Sequence, residues 1–315
     1  MIAVRAHAKI NLGLKVQGLR EDGYHEINTT LQSIDLHDEL RLEPAPELTL
    51  RVEGDYPVPA DSSNLAMRAA AALSARHGSR GARILLIKRI PPGSGLGGGS
   101  SDAAATLMGL DRLWETRSGP EALYDIARTL GSDVPFFLYG GTCLGVGRGD
   151  DLFPLPDLPE RQVLVVWTGV GLSTKEVYAG LPESLTHGRN LSSMRGFNPV
   201  PAFRAPGDPG TFPGSFPGWG PADARSLAEA PRVDNDLEEA SFARIPQLRW
   251  IKERLLEGGA VAAAMSGSGS AVFGLYPLDE DLEGIRTTLE REVLSVFVCR
   301  TLSREAYGNR LLVLP

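Results

Sequence analysis

The residues best placed to do chemistry form one short run, Pro91-Pro92-Gly93-Ser94-Gly95-Leu96-Gly97-Gly98-Gly99-Ser100-Ser101. Glycine lets the backbone turn tightly, so successive N–H groups can converge on one oxyanion, and the two serines add hydroxyl donors. Ser100-Ser101-Asp102 then opens a segment in which Leu107, Leu110, Leu113 and Trp114 recur at helical spacing. The N-terminus of such a helix carries roughly half a positive charge, which favours a bound phosphate. Arg83-Ile-Leu-Leu-Ile-Lys88, just before the run, reads as a strand. Strand, glycine loop and helix in succession therefore point to a phosphate site.

Three familiar nucleotide motifs can be compared with the run. Gly93, Gly95 and Gly98 satisfy the dinucleotide pattern G-x-G-x-x-G, but Pro91 and Pro92 separate them from the strand end, which is not that motif's usual setting. A Walker-type loop requires a lysine after its last glycine, and none follows here. The H-R-D and D-F-G signatures of protein kinases do not occur. A glycine-rich turn with no ligand is the plain alternative.

The elements that must position this loop follow from patterning. Ala3 to Val16 alternates as a strand, and Leu40–Leu42 and Leu48–Val52 are two more strand-like runs separated by Pro44 and Pro46. Asn64 caps a predicted helix over Leu65–Leu73, and Glu121–Leu130 reads as a helix stopped by Gly131. Val163–Val166 and Ala271–Phe273 are strand-like, Leu248–Leu256 is helical, and Ala260–Ala264 leads into a second Gly/Ser turn. The order supports a mixed α/β or α+β fold with a boundary near residues 150 to 160.

Composition sets the limits. The 315 residues suffice for about two domains. Hydrophobic residues make up 42% and charged ones 23%, and no apolar run approaches the ~20 residues needed to span a bilayer. A net charge of -7 supplies no global field for a nucleic acid, although a small anion held locally is allowed. Two cysteines, Cys143 and Cys299, cannot build a disulfide framework, and the opening Met1-Ile-Ala-Val-Arg lacks a basic, apolar leader, so a cytoplasmic location is expected. His7, His37, His77 and His187 show no metal-ligand spacing and read as structural. The 36 glycines and 23 prolines concentrate in the loop above and in Gly196–Pro221, where Phe197, Phe203, Phe212, Phe216 and Trp219 are interleaved. That second stretch reads as a long irregular insertion, either bland or a flap or partner-contact segment.

The run from Pro91 to Ala104 resembles the central phosphate-binding motif of the GHMP kinases, which phosphorylate small alcohols such as homoserine and mevalonate. Ala6-His-Ala-Lys9-Ile-Asn11-Leu-Gly13-Leu is similar to that family's first motif, and Met265-Ser-Gly267-Ser-Gly269-Ser-Ala-Val-Phe to its third. Arg20-Glu-Asp-Gly-Tyr24-His25-Glu, Leu130-Gly-Ser-Asp133-Val-Pro-Phe-Phe and Asn235-Asp-Leu-Glu238 resemble one branch, which acts on a CDP-linked methylerythritol in the non-mevalonate route to isoprenoids.

The resemblance implies a two-domain α+β fold with the site in the cleft between domains. Residues 1–155 would form an α/β nucleotide-binding domain, and 156–315 a ferredoxin-like domain carrying the insert. ATP and Mg²⁺ are the implied cofactors, with no nucleic-acid or membrane partner. Asp133, otherwise readable as a helix cap, matches the catalytic aspartate. Lys9, otherwise a surface lysine on a strand, would sit beside it and offset charge on the transferring group. Asn11, two residues on and so on the same strand face, would bind substrate hydroxyls. Tyr24 and His25, alone a hairpin turn, would read a pyrimidine base by stacking and hydrogen bonding. Thr174 and Tyr178, spaced i, i+4 on one helix face, would complete the acceptor site. Pro91 to Ser101 would wrap the ATP phosphates, with Asn64 and Lys88 near its base. Asp102 would bring a carboxylate to that phosphate site, an awkwardness that Mg²⁺ would relieve.

Overall fold

The computed structural model describes residues 1–186, 233–292 and 295–313; His187 and the segment Gly196–Pro221 lie outside the described residues. The architecture is two sheets with helices, matching the expected α+β class. An eight-stranded sheet holds β1 (Ile2–Leu19), β2 (His25–Ala45), β3 (Leu48–Gly54), β4 (Gly81–Lys88), β5 (Thr142–Val146) and β6 (Asp151–Pro154). From the second half of the chain, β8 (Asp234–Asn235) and β12 (Leu312–Val313) return to pair with β1. A four-stranded antiparallel sheet is built from β7 (Gln162–Trp167), β9 (Ala262–Met265), β10 (Val272–Tyr276) and β11 (Ser295–Arg300), in the order β11-β7-β10-β9. Numbered along this sheet's own strands the order is 4-1-3-2, with helices between its first and second strands and between its third and fourth, the ferredoxin-like arrangement.

Helices α1 (Leu65–Arg76) and α2 (Gly98–Leu113) cover one face of the larger sheet, and α3 (Pro120–Leu130) packs against both of them. Ala69, Ala70 and Leu73 of α1 and Leu107 and Leu110 of α2 bury against Leu40, Leu42, Ile84 and Leu86. The helical spacing of these residues is what gives each helix its apolar stripe. A one-turn helix, α4 (Phe136–Tyr139), follows α3.

Strand β1 joins the two halves. Its even-numbered residues Ala8, Ile10 and Leu12 pack with Val163, Val165 and Phe273 of the second sheet, and Leu14 and Val16 with Leu164, Val166 and Met265. Because strand side chains alternate, the odd-numbered Lys9 and Asn11 face the opposite way, into a cleft. Burying one set of side chains thus aims the other at the site.

Candidate active site

The cleft has a volume of about 890 Å³ and draws its walls from both halves of the chain. Its floor is the glycine loop, which enters α2 at Gly97 in a left-handed conformation. Two of its glycines are required. A Cβ on Gly95, at φ +81, would lie 2.0 Å from the Ser266 carbonyl oxygen, and one on Gly97, at φ +73, would lie 2.8 Å from the Phe137 ring. Both demand the left-handed region and neither leaves room for a side chain. The loop is tied to the turn between β9 and β10 by Ala271 N–H donating to Ser94 O at 2.8 Å and Ser266 Oγ donating to Gly95 O at 2.9 Å. Pro92, Gly93, Gly99 and Ser100 line the cleft with Pro91, whereas Leu96 points into the core and Ser101 is buried. The Ser94 hydroxyl is buried and donates to Pro91 O at 2.7 Å, so it shapes the loop.

Over this floor, the Lys9 ammonium lies 3.5 Å from the Asp133 carboxylate, and 2.6 Å from Asn11 Oδ1. Lys9 is buried at 3% exposure while the Asp133 side chain is 39% exposed, so the pair presents its carboxylate to the cleft. Asp133 stands in the turn between α3 and α4, and the ring of Phe137 in α4 abuts Gly97, which links that turn to the glycine loop. Asn11 in turn donates from Nδ2 to Thr29 Oγ1 at 2.8 Å, whose hydroxyl donates to Gly13 O. The carboxamide of Asn11 is therefore occupied in orienting Lys9, a task beyond the substrate contact expected of it.

At the far end of the cleft, the His25 and Tyr178 rings stack with centroids 4.8 Å apart at 30°. Burial holds the His25 imidazole below its ordinary value, favouring the neutral ring, and pushes the Tyr178 phenol up. Tyr24 stands at the rim, 55% exposed, with the Arg148 guanidinium 5.1 Å above its ring. Thr174 and Tyr178 both lie in α5 (Thr174–Ala179), and Thr174 Oγ1 is 2.8 Å from Ser268 Oγ.

Beyond Leu96 and Ser101, which the expected phosphate wrap included, three further expectations are corrected. Lys88 does not reach the cleft; it is 2% exposed, and its ammonium is held by Asp38 Oδ2 and by Asp102 Oδ2 at 2.8 Å. Burial would lower the Lys88 pKa, but the attraction of Asp102 and Asp38 outweighs this and raises it. Asp102 accordingly faces inward, not toward the phosphate site, with its Oδ2 held by Lys88. Asn64 also does not line the cleft: its Oδ1 accepts the Ala66 N–H at 2.9 Å as the cap of α1 and its Nδ2 donates to Pro59 O. Sequence reasoning missed Arg148 on the cleft wall, although its place between Gly147 and Gly149 was a visible signal; Ser268, also on the wall, belongs to the third Gly/Ser motif already singled out.

Comparison with known proteins shows the family. The profile of the GHMP kinases N terminal domain matches residues 64–141, and that of the GHMP kinases C terminal matches 222–295. A 4-diphosphocytidyl-2-C-methyl-D-erythritol kinase of Moorella thermoacetica is 40% identical over 312 residues, covering 96% of this chain and 99% of the relative. The chain belongs to the GHMP kinase family. A second relative of the same name, from Deinococcus radiodurans, is 40% identical over 276 residues, 86% of this chain and 82% of its own. A crystal structure of 4-(cytidine 5'-diphospho)-2C-methyl-D-erythritol kinase superposes with TM-score 0.73 at 33% identity, covering 95% of this chain and 98% of that one. A homoserine kinase from Cytophaga hutchinsonii, at 19% identity and TM-score 0.65, shares the fold. This GHMP kinase is thus an ATP-dependent small-molecule kinase.

Proposed function

We propose that this kinase transfers the γ-phosphoryl group of ATP to the 2-hydroxyl of 4-diphosphocytidyl-2-C-methyl-D-erythritol, giving the 2-phosphate and ADP. The observation that carries this reading is the cleft itself, where the Lys9–Asp133 pair shares one cavity with an aromatic cluster of Tyr24, His25 and Tyr178. An acceptor such as homoserine or mevalonate has no base to occupy that cluster. Strong similarity to the relatives named above supports the same acceptor.

In this reading residues 1–155 bind the nucleotide and 156–315 close the acceptor side. The positive-φ glycines Gly93, Gly95 and Gly97 give the loop a concave backbone that fits a phosphate chain, with Ser100 at its edge. Magnesium, arriving on the nucleotide, would offset charge between the phosphates. Among the described residues no three His, Cys, Asp or Glu side chains cluster to hold a metal.

Phosphoryl transfer needs little covalent work from the protein, only alignment, a proton acceptor and charge compensation. Asp133 accepts the proton of the attacking hydroxyl, and Lys9 offsets negative charge gathering on the phosphoryl oxygens. Asn11 holds Lys9 at that point. Tyr24 and Tyr178 flank the cytosine, His25 reads its edge, and Arg148 and Thr174 meet the acceptor's polar groups. Phosphorus NMR of the product tests the reaction: a new phosphomonoester resonance on the acceptor is expected, and hydrolysis of ATP with the acceptor unchanged would refute it.

A further inference from the structure

The segment Asn235-Asp236-Leu237-Glu238 has no task in the mechanism above, yet its side chains hold the backbone that faces Lys9. Asn235 is 6% exposed, and its Nδ2 donates to Met265 O at 2.8 Å and to Gly267 O at 2.7 Å. Its Oδ1 accepts the Leu237 N–H at 2.9 Å, so both amide hydrogens and the oxygen are engaged. Glu238 Oε1 accepts the Met265 N–H at 3.0 Å, and Ser241 Oγ donates to Ser268 O at 3.2 Å. Asp236 fixes the segment to β1 by accepting from Val16 N–H and from Lys15 Nζ, each at 2.9 Å. The turn after β9 is thus gripped from behind by one stretch of chain anchored on the strand that carries Lys9.

This grip has a directional consequence. A trans peptide points its C=O and N–H opposite ways. With Gly267 O drawn back to Asn235, the N–H of Ser268 faces the other side, and Gly267 and Ser268 line the cleft while Asn235 does not. That N–H has no acceptor among the described residues. It sits beside Thr174, whose hydroxyl meets that of Ser268 at 2.8 Å. On the other side is Lys9, whose Nζ lies 3.3 Å from where a Cβ on Gly267 would be. This location is between the aromatic cluster and the Lys9–Asp133 pair.

We infer that Asn235 is a positioning residue: it turns the Gly267–Ser268 peptide so that the Ser268 N–H binds a phosphate oxygen of the acceptor's diphosphate. The inference rests on the acceptor reading above. Both are tested by calorimetric binding of CDP and of cytidine to the wild type and to Asn235→Ala, with a non-hydrolysable ATP analogue as control. Wild type should prefer CDP to cytidine. In Asn235→Ala that preference should fall roughly tenfold, the scale of one hydrogen bond to a charged group, with cytidine and the ATP analogue bound as before. An unchanged preference for CDP in the folded variant would overturn the role of Asn235 and leave the acceptor reading standing. No CDP binding by wild type would overturn the acceptor reading and this inference together. If Asn235→Ala unfolds, Asn235→Asp keeps the shape and replaces both donors with acceptors; a retained CDP preference there would refute the role, and a lost one supports it.

Discussion

Lys88 meets Asp102 at 2.8 Å beneath the first turns of α2, and the same ammonium also meets Asp38. Asp38 Oδ1 accepts the N–H groups of Arg89 and Ile90, at 2.5 and 2.8 Å, where the chain leaves β4 for the glycine loop. One buried cation therefore ties both ends of the phosphate loop to β2. Burial pushes the Asp102 carboxyl well above the usual carboxylate range, with Lys88 opposing and Asp38 adding to the shift.

Removing the cation should be far worse than removing one charge it offsets. Lys88→Met leaves two carboxylates buried together and is expected to cost about 3–5 kcal/mol of stability in urea unfolding. Asp102→Asn should be neutral or stabilising at neutral pH. An acid with a raised folded-state pKa stabilises below its unfolded value and loses that contribution as pH rises through the folded one. Equal losses in the two variants would contradict this account of the cluster.

Lys9 and Asp133 are expected to act on the chemical step. Lys9→Ala and Asp133→Ala should each lower kcat at least ~100-fold with ATP binding largely intact. Steady-state kinetics with a parallel nucleotide-binding titration checks this; near-normal turnover in either variant removes that residue from the mechanism.

Tyr178 should act on binding instead. Its ring stacks on His25 at 4.8 Å, so Tyr178→Ala removes one wall of the base slot. Loss of about 1–3 kcal/mol of stacking corresponds to a KM for the acceptor raised roughly 5- to 150-fold, with kcat and the KM for ATP little changed. A kcat defect with unaltered acceptor KM would place Tyr178 elsewhere in the cycle.

His7 predicts a pH dependence of stability. It is 1% exposed, with its ring 5.2 Å from that of His37 and 5.5 Å from that of Tyr307. Burial, then the charges of His37, Arg5 and Arg310, lowers its pKa from 6.5 to about 3. A histidine held neutral in this way contributes stability above its unfolded pKa, and that contribution is lost as pH falls from 6.5 toward 3. About 2 kcal/mol should be lost by pH 5, and His7→Phe should flatten the slope of Tm between pH 7 and 5. An unchanged slope in the variant would assign the acid sensitivity to other groups.

The parts of the site that were legible are those set by local pattern. Period-two alternation put Lys9 and Asn11 on one face of β1, and the glycine run located the phosphate loop, although α2 begins at Gly98, two residues before the expected Ser100. Strand β2 was read only at Leu40–Leu42 but starts at His25. Its first half buries Thr29, Thr30, Gln32 and Ser33, and of these Thr29 and Gln32 have side-chain partners distant in sequence: Thr29 accepts from Asn11 Nδ2, and Gln32 donates to Leu302 O. The same holds for Lys88, whose partner Asp38 is 50 residues away, and for Asn235, whose carbonyl partners lie 30 and 32 residues on. Such pairings leave no periodic trace in the sequence.

ADP release, measured by a coupled assay over a panel of alcohols, identifies the acceptor. Turnover is expected with 4-diphosphocytidyl-2-C-methyl-D-erythritol and none with homoserine or mevalonate. Turnover with either small alcohol, and none with the CDP-linked one, would contradict it.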